Sequence, residues 1–87
     1  MHEHSLMNNL MSKILILAEK EQAAAVTKVS VKLGALSHMS PEHFKEHFNI
    51  SAKGTIAEHA TLETEESHDI HDPNAQMILL KSIDVAN

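Results

Sequence analysis

From Ser5 onward, Leu6, Met7, Leu10, Met11, Ile14, Leu17 and Ala18 recur at steps of three and four, which lines one face of a helix. The pattern predicts a first helix running to about Gln22. The period then changes to two. Val26 to Leu33 alternates, with Val29, Val31 and Leu33 on one face and Lys28, Ser30 and Lys32 on the other, predicting a half-buried strand stopped at Gly34. Ser40-Pro41-Glu42 reads as a helix start: Ser caps free amides, Pro is tolerated at the first helical position, and Glu suits the positive end of the dipole. Phe44 and Phe48, four apart, are the expected core anchors of that second helix. Thr55-Ile56-Ala57-Glu58 matches a capping box and predicts a short helical turn. After it, Ala60, Leu62 and Thr64 alternate with Thr61, Glu63 and Glu65 as a second strand. Met77, Leu79, Ile83 and Val85 stand at even spacing and predict a third strand over 77–85, beyond a polar loop from Glu66 to Gln76.

The order α-β-α-β-β implies an α/β chain in the broad sense, more narrowly an α+β two-layer sandwich with both helices on one face of a three-stranded sheet. The last two strands are expected to form a long-looped hairpin. No linker or repeat divides the chain, so residues 1–87 read as one domain with one modest core.

Charge and composition narrow the function. A formal net charge of -5 with seven Lys plus Arg argues against binding a phosphate backbone, so nucleic acid is not an expected partner. The absence of cysteine excludes disulfides, thiolate nucleophiles and cysteine metal cages, and fits a cytoplasmic setting. The start Met1-His2-Glu3-His4 lacks the basic stretch of a signal peptide, and Asn8, Asn9, Ser12 and Lys13 interrupt the apolar residues after it, so neither export nor a membrane is indicated. Eight His accompany only two aromatic residues, and imidazole is the commonest metal ligand. Histidine is where function is to be sought.

Four groups of residues can carry metal chemistry. A Met followed by bulky His is expected to keep its initiator residue, so Met1-His2 presents a free amine beside an imidazole. Amine, backbone nitrogen and ring nitrogen then chelate one ion, with Glu3 and His4 as further donors, an arrangement that suits Ni(II) or Cu(II). Binding through neutral imidazole should weaken as pH falls through about 6.5. On spacing alone, a His near a terminus is as readily a solvated side chain. His43 and His47, four apart, share a helix face as in helical zinc sites, although an exposed flank beside Phe44 and Phe48 is the simpler reading. His68-Asp69-Ile70-His71-Asp72 holds enough donors for a divalent ion, yet also reads as a solvated turn built on Asp72-Pro73-Asn74. Lone His38 and His59 carry less weight from spacing, and Met7 and Met11 read as core rather than as a thioether box. No catalytic triad spacing or Gly-rich phosphate loop is present, so no enzyme is expected.

Several motifs in order resemble the HypA/HybF hydrogenase nickel incorporation proteins. They are Met1-His2-Glu3-x-Ser5-Leu6, Leu33-Gly34-Ala35-Leu36-Ser37, Pro41-Glu42 with Phe44 and Phe48, Gly54-Thr55-x-Ala57-Glu58-x-Ala60-x-Leu62-Glu63, and the closing Leu80-Lys81-Ser82-Ile83-Asp84-Val85. The resemblance implies a nickel metallochaperone that holds Ni(II) at Met1, His2 and Glu3. It also implies delivery, with a maturation GTPase, to a nickel-enzyme precursor such as [NiFe]-hydrogenase. His4 stands where the family commonly has an apolar or aromatic residue and is an added candidate donor. His38 falls in the loop that the family places near nickel. Ordinary members carry a CxxC zinc subdomain between the last two strands, where this chain has the short loop 66–76, so no structural zinc is expected. A metal-free module docking a GTPase or metalloenzyme is the rival reading.

Overall fold

In the computed structural model the backbone is described from residue 2 and the side chains from Met7 to Asn87. Helix α1 (His2–Lys20) buries Met7, Leu10, Met11, Ile14 and Ala18, the stripe expected from the three- and four-residue steps. Leu6 belongs to the same pattern but its side chain lies outside the described residues. Leu17 departs from expectation: it is 41% exposed. At 3.6 residues per turn it stands about 80° round the helix from Met7, on the flank of the stripe. The helix ends two residues before the predicted boundary. The Ala23 amide donates to Ala18 O at 3.0 Å and Gln22 takes a φ of 56°, a left-handed terminus without the usual glycine.

Strand β1 (Ala25–Leu33) buries Val26, Val29, Val31 and Leu33 and turns Lys28, Ser30 and Lys32 outward. Helix α2 (Pro41–Ala52) begins as its sequence predicts. Ser40 is extended at φ −78° and its Oγ accepts a bond from the His43 amide at 3.2 Å, with Pro at the start and Glu42 in the first turn. Phe44 and Phe48 are fully buried with ring centroids 6.2 Å apart. Gly54, at φ 84°, closes the helix in the left-handed region. The predicted capping box forms turns rather than helix: Thr55 Oγ1 donates to Ala52 O at 2.7 Å and accepts from the Ala57 amide at 3.1 Å, and the chain then enters β2 (Thr61–Glu66).

The sheet order is β2-β1-β3, with β3 spanning Ile78–Ala86. β2 runs parallel to β1, pairing Val29 with Leu62 and Leu33 with Glu66, while β3 runs antiparallel to β1. The expected hairpin between the last two strands is therefore not formed. Hairpins use loops of about two to five residues, and the longer segment 66–76 imposes no such pairing. β1, the strand richest in buried side chains, takes the centre and bonds along both edges. Helix α2 serves as the crossover that a parallel β1–β2 pair requires.

β3 also differs from its predicted face. Ser30 pairs with Ser82 but Val31 pairs with Leu80, so Lys81 is an extra residue in a β-bulge. The bulge switches the alternation. Ile78 and Leu80 on one side of it, and Ile83 and Val85 on the other, all face the core, while Met77 is 43% exposed. One core cluster joins α1, α2 and the inner face of the sheet. The outer face is polar, with Lys28, Ser30, Lys32, Glu63 and Glu65. Among the described residues no helix is long and apolar enough to cross a membrane.

Candidate metal site

The ends of β1 and β2 coincide, because Leu33 pairs with Glu66 and the Ser67 amide donates to Leu33 O at 2.9 Å. Whatever follows either strand is thus gathered at one end of the sheet. The loop after β1 is laced to the segment before β3: the Gly34 amide donates to Met77 O at 2.9 Å and the Leu36 amide to Ala75 O at 2.7 Å. His38 sits in this loop with a φ of 58°. It shares a cleft of about 280 Å³ with Glu66, Ser67 and His68, above Gly34 and Met39. Glu66 was not singled out from the sequence, because a hairpin reading places it in a loop away from β1. The parallel register brings it to His38. The described residues nevertheless contain no group of three or more His, Asp or Glu arranged to hold one ion.

Among the described residues, His68 to Asp72 contain no group of three His, Asp or Glu arranged to hold one ion. Asp69 Oδ1 accepts from the His71 amide at 3.0 Å and Asp72 Oδ1 accepts from the Asn74 amide at 2.8 Å, so both carboxylates brace successive turns. The turns lower Ala75 into the interior, where it is 4% exposed. His68 and His71 remain on the surface.

His43 and His47 are brought together as the helical spacing predicts. Their Nε2 atoms approach to 2.8 Å, with ring centroids 4.6 Å apart. His43 is exposed and His47 half-buried, beside the buried Phe44 and Phe48. His59 lies exposed after α2, toward the start of β2 and so toward the opposite end of the sheet. Met7 and Met11 are core residues, at 2% and 6% exposure. Of the terminal set, Met1 lies outside the described residues, and so do the side chains of His2, Glu3 and His4. Helix α1 opens at His2.

The outer sheet face carries charge but no metal chemistry. Lys28 Nζ lies 3.2 Å from Glu63 Oε1, which also accepts from Ser30 Oγ at 3.2 Å, and Lys81 Nζ lies 2.6 Å from Glu65 Oε1. The Lys28 hydrogen bond, then the Ser30 one, hold the Glu63 carboxyl below its ordinary 4.5, and the Lys81 hydrogen bond does the same for Glu65. A carboxyl held below its unfolded value adds stability that is present above about 4.5 and disappears as pH falls through the lower folded value. These groups are exposed, so the contribution is small. Carboxyl titration by NMR should find both midpoints below 4.5, with Lys28→Ala raising that of Glu63 and Lys81→Ala that of Glu65. No sheet transition from these pairs is expected near neutrality.

Comparison with known proteins places this arrangement. A model of the family described as hydrogenase/urease nickel incorporation, metallochaperone, HypA, matches residues 1–71. The hydrogenase maturation factor HypA of Archaeoglobus fulgidus is 43% identical over 63 residues, which cover 72% of this chain and 57% of that protein. That of Aquifex aeolicus is 40% identical over 62 residues, 71% of this chain and 54% of that one. The matched segment thus spans just over half the length of these relatives. Two solution structures share the fold: the nickel metallochaperone HypA of Helicobacter pylori, at TM-score 0.77 and 17% identity over 97% of each chain, and a second HypA protein, at TM-score 0.75 and 20% identity over 98% of this chain and 96% of the other. With a family match running from the first residue through most of the chain and the same sandwich beneath it, this chain belongs to the HypA family.

Proposed function

We propose that this chain is a non-catalytic, cytoplasmic nickel carrier that binds Ni(II) through the Met1 amine and His2, with Glu3 or His4 completing the donor set. The carrying observation is that the family match begins at residue 1, so Met1-His2-Glu3 lies within the matched span. Nitrogen and carboxylate donors suit a tetragonal ion, and a chelate at a chain terminus can load and release it more readily than a closed cage. By analogy with relatives described as hydrogenase maturation factors, the receiving partner is a nickel-enzyme precursor, with a maturation GTPase assisting. Structural zinc forms no part of the proposal, since the chain has no cysteine.

Calorimetric titration of Ni(II), Cu(II) and Zn(II) into untagged protein tests this. His2→Ala and an N-terminal extension should each weaken Ni(II) binding by roughly tenfold or more, because each removes one arm of the chelate. Unchanged affinity in both would sink the terminal site. A second reading, a docking module without metal, is favoured by one observation. Ile16, Leu17 and Met77 are 53%, 41% and 43% exposed, and with Leu79 they flank a groove of about 350 Å³ between α1 and β3. Absence of saturable metal binding in the untagged protein would favour that reading.

A further inference from the structure

We propose that His43 and His47 on α2 form a bidentate site for a divalent ion of the nickel or copper class, separate from the chain terminus. The argument begins with the helix. Residues four apart stand one above the other on the same face, and here two imidazoles occupy such positions in the first two turns of α2. Their Nε2 atoms are 2.8 Å apart while the ring centroids are 4.6 Å apart. The rings therefore splay away from each other and present their outer nitrogens toward a common point.

That bite has a preferred geometry. An ion with metal–nitrogen bonds of about 2.1 Å holds two cis nitrogens roughly 3.0 Å apart when tetragonal and roughly 3.4 Å apart when tetrahedral. The observed 2.8 Å is nearer the first. Without an ion, one ring donates its Nε2 proton to the other. With an ion, both Nε2 atoms must present lone pairs, so the donor ring carries its proton on Nδ1 instead and no net proton is lost.

The surroundings permit the chelate. Phe44 and Phe48 anchor α2 in the core, so the helix that carries the two rings is held. His43 is exposed and His47 half-buried, so the pair is not sealed in the core. No group of three or more His, Asp or Glu arranged to hold one ion is found among the described residues, so the pair is the donor set that those residues supply. The short turn 21–24 reverses the chain between α1 and β1, which puts the opening turns of α1 and α2 at the same end of the sheet.

The test separates this pair from the terminus. An N-terminally extended protein carrying His2→Ala and His4→Ala is titrated with Ni(II) while histidine ring signals are followed by NMR. His43 and His47 are expected to broaden together, ahead of His38, His59, His68 and His71. His47→Ala in that background should lower Ni(II) affinity by about tenfold or more, the difference between a chelate and a single imidazole. Both positions are exposed or half-buried on a helix, so alanine leaves the fold intact, as circular dichroism would verify. In Cu(II)-loaded protein, electron paramagnetic resonance should show coupling to two imidazole nitrogens. The proposal is overturned if the two rings do not respond before the other histidines, or if His47→Ala leaves the titration unchanged. Nickel binding by the unextended protein alone would leave the terminal site standing and remove this one; binding of equal affinity in both proteins would do the reverse.

Discussion

Phe44→Ala is expected to lower stability by about 3–5 kcal/mol, the largest effect of any single change considered for this chain. Phe44 is completely buried and pairs with Phe48, and these two rings are the whole aromatic content of the chain. Neighbours across the core, including Val29, Val31 and Ile14, are held by α1 and β1 and cannot collapse fully into the space a lost ring leaves. A domain of this size has roughly 5–10 kcal/mol in total, so the variant should be close to unfolding at ambient temperature. Urea denaturation followed by circular dichroism would show the shift, and the thermal midpoint should fall by about 15 °C or more. Phe44→Leu, which refills most of the volume, should cost markedly less. A midpoint within a few degrees of the unaltered protein would mean that α2 does not seal the core as described.

Gly34→Ala is expected to cost about 2–3 kcal/mol through a different cause. A Cβ at Gly34 would stand 2.2 Å from Ala75 O and 2.8 Å from Met77 O. Those atoms are backbone, and they belong to the segment that Gly34 and Leu36 hold by hydrogen bonds. The clash is relieved only by lifting residues 75–77 away, which breaks those bonds and opens the cleft that holds His38 and His68. Amide exchange at Leu36 and Gly34 should accelerate more than exchange in α2. Gly54→Ala makes the contrast: nothing lies within 4 Å of its Cβ, and the penalty is conformational, at φ 84°, about 1 kcal/mol. Equal effects at the two glycines would refute the close-approach account of Gly34.

The candidate sites were legible to different depths. The His43–His47 pair follows from helical spacing, since both ends of the relation lie on one element. The loop 68–72 is legible to a lesser depth, because its side chains take their places from turns. Asp69 and Asp72 each turn one oxygen, Oδ1, to the amides of His71 and Asn74, a use that depends on the turn conformation. Glu66 joins His38 and His68 through a pairing between residues thirty-three apart, Leu33 and Glu66.

Sequence by itself determined what local rules govern. The apolar stripe of α1, the alternation of β1 and the Ser40-Pro41 start of α2 each express one element's own period or cap, and two helices with three half-buried strands leave few ways to form a single core. Only the tertiary structure decided the rest. Which strand stands at the centre depends on competition for β1's two edges, and β3 wins one of them rather than the edge of β2. The bulge at Lys81 then turns Ile78 and Leu80 inward where uninterrupted alternation points to Met77 and Leu79. Register and strand order arise from contacts between distant segments, and no period within a single segment encodes them.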